Sequence, residues 1–106
     1  MIIQFVQFET ALSHDDAIAA CHDRFAAYEA FPGLIQKYYL KLSKPNHYGG
    51  IMVWETPEAL ARFRDSDLAK TIASAYEVVG APEIDLHEVM FTLRGTGAPK
   101  QAEHAG

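Results

Sequence analysis

Apolar and polar positions recur with two different periods along this chain, and the changes of period mark its elements. Residues 2–8, IIQFVQF, carry bulk on both parities: Ile3 and Phe5 on one side, Ile2, Val6 and Phe8 on the other. That pattern predicts a central strand buried on both faces. From His14 to about Ala30 the period lengthens. Ile18, Cys21, Phe25 and Tyr28 fall at three- and four-residue spacing, as on the inner stripe of a helix. Ser13 precedes it as N-cap, with Asp15 and Asp16 in the first turn, and Pro32-Gly33 ends it. Two apolar runs then lie back to back, Leu34 to Leu42 and His47 to Glu55, joined by the turn Ser43-Lys44-Pro45-Asn46. In the first run Leu34, Tyr38, Leu40 and Leu42 share one parity, and Ile35, Lys37, Tyr39 and Lys41 the other. The two lysines predict a partly exposed edge strand. In the second run Gly49-Gly50 predicts a bulge or a close approach by another group.

Thr56-Pro57 is an N-cap followed by proline, and opens a second helix with Leu60 and Phe63 inward. Asp65-Ser66-Asp67 interrupts it, and Ser66 caps a second piece from Leu68 to about Val78 with Ile72 and Tyr76 inward. Gly80-Ala81-Pro82 is expected to break that piece, and Ile84 to Leu93 to form the last strand, changing parity near His87-Glu88. The order β-α-β-β-α-β is the ferredoxin-like split βαβ plan of the α+β class: one four-stranded antiparallel sheet with its helices on one face. Strands with bulk on both sides then leave a second sheet face uncovered. The expected cover is another copy of the chain, as a homodimer or a higher assembly. Residues 1–94 form one domain, and the small, polar segment 95–106, GTGAPKQAEHAG, is expected to be a flexible tail.

Composition narrows the function classes. A chain of 106 residues has room for one domain. Net charge is −5 with the nine Lys and Arg dispersed, so no basic stripe invites nucleic acid. No apolar run reaches membrane-spanning length. The N-terminal MIIQFVQF reads as a strand rather than a signal peptide, and a single cysteine fits a reducing compartment, so a cytoplasmic protein is expected.

The candidate chemistry is sparse. His22, His47 and His87 are the possible bases, since imidazole transfers protons near neutral pH. Their spacing makes no two-histidine metal motif. Tyr38, Tyr48, Trp54 and Tyr76 are candidates to line an aromatic pocket, although the same rings suit a core or an interface equally well. Tyr48, Gly50 and Trp54 share parity, so Gly50 leaves room over the sheet where a flat ligand fits. Cys21, in mid-helix on the apolar stripe, reads as a buried inert thiol.

Phe31-Pro32-Gly33-Leu34, then His47-Tyr48-Gly49-Gly50-Ile51, then Thr56 to Phe63, together with the element order, resemble the dimeric α-β barrel superfamily, and within it the YdhR-like monooxygenases. The resemblance implies two sheets packed face to face with helices outside. It also implies a monooxygenase that needs no cofactor and oxidises an electron-rich aromatic, such as a quinol or polyketide-like phenol. On that reading His87 or His47 is the base, Tyr48 or Tyr38 the hydrogen-bond donor, and Tyr38, Gly50, Trp54, Phe63 and Tyr76 the substrate wall. The superfamily also hosts non-catalytic binding dimers and oxygen-independent isomerases and decarboxylases. Its haem-degrading branch shares a pattern that looks like Trp54-Glu55-Thr56 and Ser66-Asp67. Counting on without gaps, that branch's active-site tryptophan falls on Phe63 and its axial histidine on Ala73, a residue unable to ligate iron, which argues against haem.

Overall fold

A computed structural model describes residues 1–95. Strand β1 (Ile2–Thr10) leads through the Ser13 cap into helix α1 (His14–Glu29). Ser13 Oγ accepts from the Asp16 N–H at 3.1 Å, satisfying one of the free donors of the first turn. Gly33, at φ 85°, closes the corner into β2 (Leu34–Lys41), which returns as β3 (His47–Trp54). Thr56 Oγ1 accepts from the Ala59 N–H at 3.1 Å and Pro57 opens α2 (Pro57–Asp65). Ser66 then ends α2 and caps the next piece, accepting from the Ala69 N–H at 3.2 Å.

The expected single helix after Ser66 is two short turns, α3 (Asp67–Lys70) and α4 (Ile72–Ala75), and it stops earlier than expected. The last strand, β4, runs over Val78–Glu88 rather than from Ile84 to Leu93. The reason lies in its partner. β1 extends to Thr10 and offers hydrogen-bonding groups there, so Val78 pairs with Thr10 and Val79 with Glu9. Gly80, at φ 73°, and Pro82 are absorbed beside a register shift between Gln7 and Glu9. An edge strand tolerates this, because its outer N–H groups have no ladder to complete. At the other end β1 begins at Ile2, opposite Glu88, so pairing runs out. Only the Val89 N–H still reaches Met1 O, at 3.0 Å. Met90, Phe91 and Leu93, expected in the strand, leave the sheet and are exposed. Apart from Gly95, the segment expected as a tail lies outside the described residues. Among the described residues no helix is long and apolar enough to cross a membrane.

The sheet is antiparallel with order β2-β3-β1-β4, the ferredoxin-like topology. Even-numbered residues of β1 and β3 share one face: Gln4 pairs with Met52, Val6 with Gly50, Phe8 with Tyr48. Helices cover this face. Val6, Met52 and Trp54 pack there with Tyr28 of α1 and with Ala59, Leu60 and Phe63 of α2. Two of the residues expected on the inner stripe of α1, Ile18 and Phe25, are nevertheless 42% and 45% exposed. Of α1 only Ala17 and Tyr28 are buried, and a hollow remains between this helix and the sheet. Odd-numbered Ile3, Phe5, Ile51 and Val53 face the opposite way, where none of the core-forming helix residues lie.

Candidate active site

One extra residue in β2 decides what faces the hollow. Leu34 pairs with Trp54, but Gln36 already pairs with Val53, so two steps along β2 match one along β3. Such a bulge reverses the parity of everything after it. Leu34 therefore stays on the core side, while Lys37, Tyr39 and Lys41 follow it there, opposite Met52, Gly50 and Tyr48. Tyr38 turns to the other face and is 53% exposed.

The resulting cavity, of about 230 Å³, lies between α1, the floor of β1, β2 and β3, and the residues following α3. Its walls are largely apolar: Val6, Phe8, Ala17, Ile18, Met52 and Ile72. The floor is Gly49 and Gly50. A Cβ on Gly49 would lie 2.5 Å from the carbonyl oxygen of Val6, so at this position the close approach of β1 requires glycine. The pairing of β1 with β3 runs through both glycines unbroken, so of the two expectations for Gly49-Gly50 the close approach holds and the bulge does not.

Polar groups enter this cavity at two places, with Lys41, opposite Tyr48, adding a cation at the rim. Near the start of α1, His14 Nδ1 and Tyr48 Oη lie 2.8 Å apart, their rings stacked with centroids 5.9 Å apart. His14 is there because Ser13 starts α1 at the rim, and Tyr48 because its parity on β3 matches that of Gly50. Deeper in, the Lys37 ammonium nitrogen lies 4.1 Å from the ring centroid of Tyr28 and 4.8 Å from that of Tyr39. Burial, the largest influence, pulls the Lys37 pKa down to about 8. Burial likewise pushes Tyr39 up to about 12 and raises Tyr28 and Tyr76, so these phenols stay protonated. Tyr76 Oη also reaches Cys21 Sγ at 3.5 Å. Among the described residues no group of three or more His, Cys, Asp and Glu gathers closely enough to hold a metal ion.

Of the residues singled out from sequence for their chemistry, Cys21 (half-buried rather than buried), Tyr48, Gly50 and Tyr76 line this cavity. The others do not. Trp54 is fully buried, its rings packed against Phe31 and Phe63 and its Nε1–H donating to Gln4 Oε1 at 3.2 Å. Phe63 is equally buried in the same cluster, so both are core rather than pocket wall. Tyr38 is on the wrong face, for the reason given above. His87 pairs with Ile3 and so shares the helix-free face with Val53, away from the cavity. His47 is half-buried outside the cavity, with Nδ1 2.8 Å from the Pro45 carbonyl in the β2–β3 turn. The residues missed are His14 and Lys37. His14 carried a legible signal, since an aromatic base next to an N-cap is set at a helix mouth. Lys37 carried none, because the bulge that turns it inward has no marker in LIQK.

An antiparallel four-stranded sheet with helices and an open, mostly apolar cavity on one face defines a ferredoxin-like α+β protein with a candidate ligand site. Solved structures share that architecture. SnoaB from Streptomyces nogalater, a cofactor-independent oxygenase, superposes with a TM-score of 0.69 at 22% identity, covering 87% of this chain and 96% of that one. An antibiotic biosynthesis monooxygenase superposes with a TM-score of 0.70 at 12% identity, covering 85% of this chain and 99% of that one. A protein of unknown function from Nitrosomonas europaea, NE2512, gives 0.68 at 17% identity, covering 86% and 90%. No protein-family profile matches the chain, and no curated protein matches it by sequence. The chain has the fold of these proteins, the fold that the sequence resemblance implies.

Proposed function

We propose that the protein is a monooxygenase that needs no cofactor and oxidises an electron-rich aromatic, a quinol or polyketide-like phenol, in the cavity between α1 and the sheet. The observation that carries this reading is the pairing of His14 with Tyr48 at the rim of a largely apolar cavity. The names of SnoaB and of the antibiotic biosynthesis monooxygenase, on the same fold, add support. In this chemistry the substrate is its own reductant. A base removes a proton from a phenol or an activated carbon. The anion reacts with dioxygen at carbon, and the resulting peroxide loses water to leave a carbonyl. One oxygen atom stays in the product and the other leaves as water with the two hydrogens lost by the substrate. The Tyr48 hydroxyl, held by His14, is the acid–base group of this scheme. The apolar walls keep competing water from the anion.

The test is oxygen uptake by metal-stripped protein with a panel of hydroquinones and anthrone-like phenols. Uptake above the autoxidation of each compound is expected, falling about 100-fold or more in Tyr48→Phe and in His14→Ala. Uptake equal to buffer with every compound, or unchanged in both variants, would sink the proposal in favour of a binding protein or an oxygen-independent enzyme.

The same reading includes a homodimer. Its support is the helix-free sheet face, where Ile3, Phe5 and Ile51 are only half-buried, together with exposed Tyr38, Met90, Phe91 and Leu93. An apolar face of this kind is usually an interface. Analytical ultracentrifugation is expected to give twice the mass of the chain; a monomer at micromolar concentration would refute it.

A further inference from the structure

The inner end of the cavity holds a cation that no carboxylate of the site neutralises. The β2 bulge directs Lys37 inward, and its ammonium rests between the faces of Tyr28 and Tyr39. A second cation shares one of these rings: the Arg24 guanidinium carbon is 5.9 Å from the centroid of Tyr28 and 6.0 Å from that of Tyr76, outside the cavity lining. Arg24 donates to the Thr71 hydroxyl and the Leu68 carbonyl, both neutral. The lining of this cavity includes no Asp or Glu; Glu29 lines a second hollow that Lys37 also borders, and among the described residues the groups that act on the charge of Lys37 are the Cys21 thiol and Arg24.

An ammonium held away from water without an anion is costly, and tyrosine faces offset only part of that cost. Burial accordingly pulls the lysine down to about 8, which still leaves it mostly charged at neutral pH. A ligand that brings an anion relieves the cost, and a neutral ligand does not. Gly50 lies directly below: a Cβ there would be 3.4 Å from the Lys37 nitrogen. The absence of a side chain thus leaves that nitrogen open to a ligand lying flat on the sheet.

We propose that Lys37, backed by Arg24, forms an anion subsite over Gly50 that takes the acidic oxygen of an aromatic ligand, a phenolate, enolate or carboxylate, with that oxygen turned inward. The ligand's anionic oxygen and aromatic body are thereby assigned to opposite ends of the cavity, the ring lying toward Tyr48 and His14. The proposal deepens the oxygenase reading and rests on it for the aromatic character of the ligand. Charge on that oxygen is also what makes such a ring electron-rich toward dioxygen.

Binding is tested without turnover, under nitrogen, with para-nitrophenol, whose phenolate is yellow and whose phenol is not. The pH is set where the free probe is mostly protonated. The wild-type protein is expected to bind the yellow form, and Lys37→Arg to retain it. Lys37→Met and Lys37→Gln, two neutral variants that guard against misfolding of either, are expected to bind about 10- to 100-fold more weakly. Nitrobenzene, the same shape without the acidic oxygen, is expected to bind all four proteins alike. Binding of the colourless phenol, equal affinity in the neutral variants, or no binding to the wild-type protein would overturn the proposal. Phenolate binding without oxygen uptake on the aromatic panel would sink the oxygenase reading and leave the subsite standing.

Discussion

Trp54→Ala is expected to lose about 3–5 kcal/mol of stability, enough to leave much of the protein unfolded at room temperature. Trp54 is fully buried at the end of β3 and is the hub of the aromatic core, with its ring centroid 5.0 Å from Phe63 and 5.7 Å from Phe31. Its removal opens a cavity among groups that α1, α2 and β1 hold in place. It also strands Gln4, whose side-chain oxygen accepts from the indole N–H while the residue is only 4% exposed. Trp54→Phe separates the two contributions: it keeps most of the packing and gives up the hydrogen bond, for about 1–3 kcal/mol. Urea denaturation followed by circular dichroism measures both. The sequence reading of Trp54 as substrate wall predicts instead a stable variant with a changed KM. A Trp54→Ala protein as stable as wild type would contradict the core assignment.

Lys37→Met should act in the opposite direction, stabilising the ligand-free protein by about 2 kcal/mol at pH 7. The lysine falls from its ordinary 10.5 to about 8 on folding. That difference corresponds to about 3 kcal/mol against the charged form, of which contacts with the tyrosine faces return about 1 kcal/mol. The pH dependence has a definite sign. Between pH 8 and 10.5 the unfolded chain binds the proton and the folded chain does not, so wild-type stability rises with pH across that window. The advantage of Lys37→Met is therefore full below pH 8 and fades as pH climbs to 10.5. The groups around Lys37, namely Tyr28, Tyr39, Cys21, Arg24 and, across a second hollow, Glu29, are present in both proteins. Buried Tyr39, Tyr28 and Tyr76 lower the stability of both in strong alkali, because their folded pKa values are raised. Melting curves of the two proteins from pH 6 to pH 10 check the difference. A variant less stable than wild type at neutral pH would mean that Lys37 is not a buried cation. Stability gained together with ligand binding lost is the usual signature of a group kept for function.

How far the chain could be read in advance depended on the range of the forces involved. Caps and periods are local. Ser13, Thr56-Pro57 and Ser66 each place a helix start where the structure has one, since a side-chain oxygen three residues ahead of a free N–H needs no distant partner. The order of elements and their apolar faces then leave the ferredoxin-like sheet as the natural plan. Gly50 over an open floor and Tyr48 on the same parity were legible for the same reason: alternation along β3 is unbroken.

The rest belonged to partners far away in the chain. The limits of β4 follow from where β1 begins and ends, so Pro82 sits inside a strand and Phe91 outside one. The sequence by itself determined the elements, the topology and the apolar side of each element, because these follow from short-range sterics and hydrophobic period. Only the tertiary structure decided which polar groups meet in the cavity. A single bulged residue before Gln36 exchanges Tyr38 for Lys37, and the packing of Phe31 and Phe63 against Trp54 draws the two candidate wall residues, Trp54 and Phe63, into the core. Side-chain parity is reset by one extra residue, and where that residue goes is set by the pairing energy of the whole sheet rather than by the residues beside it.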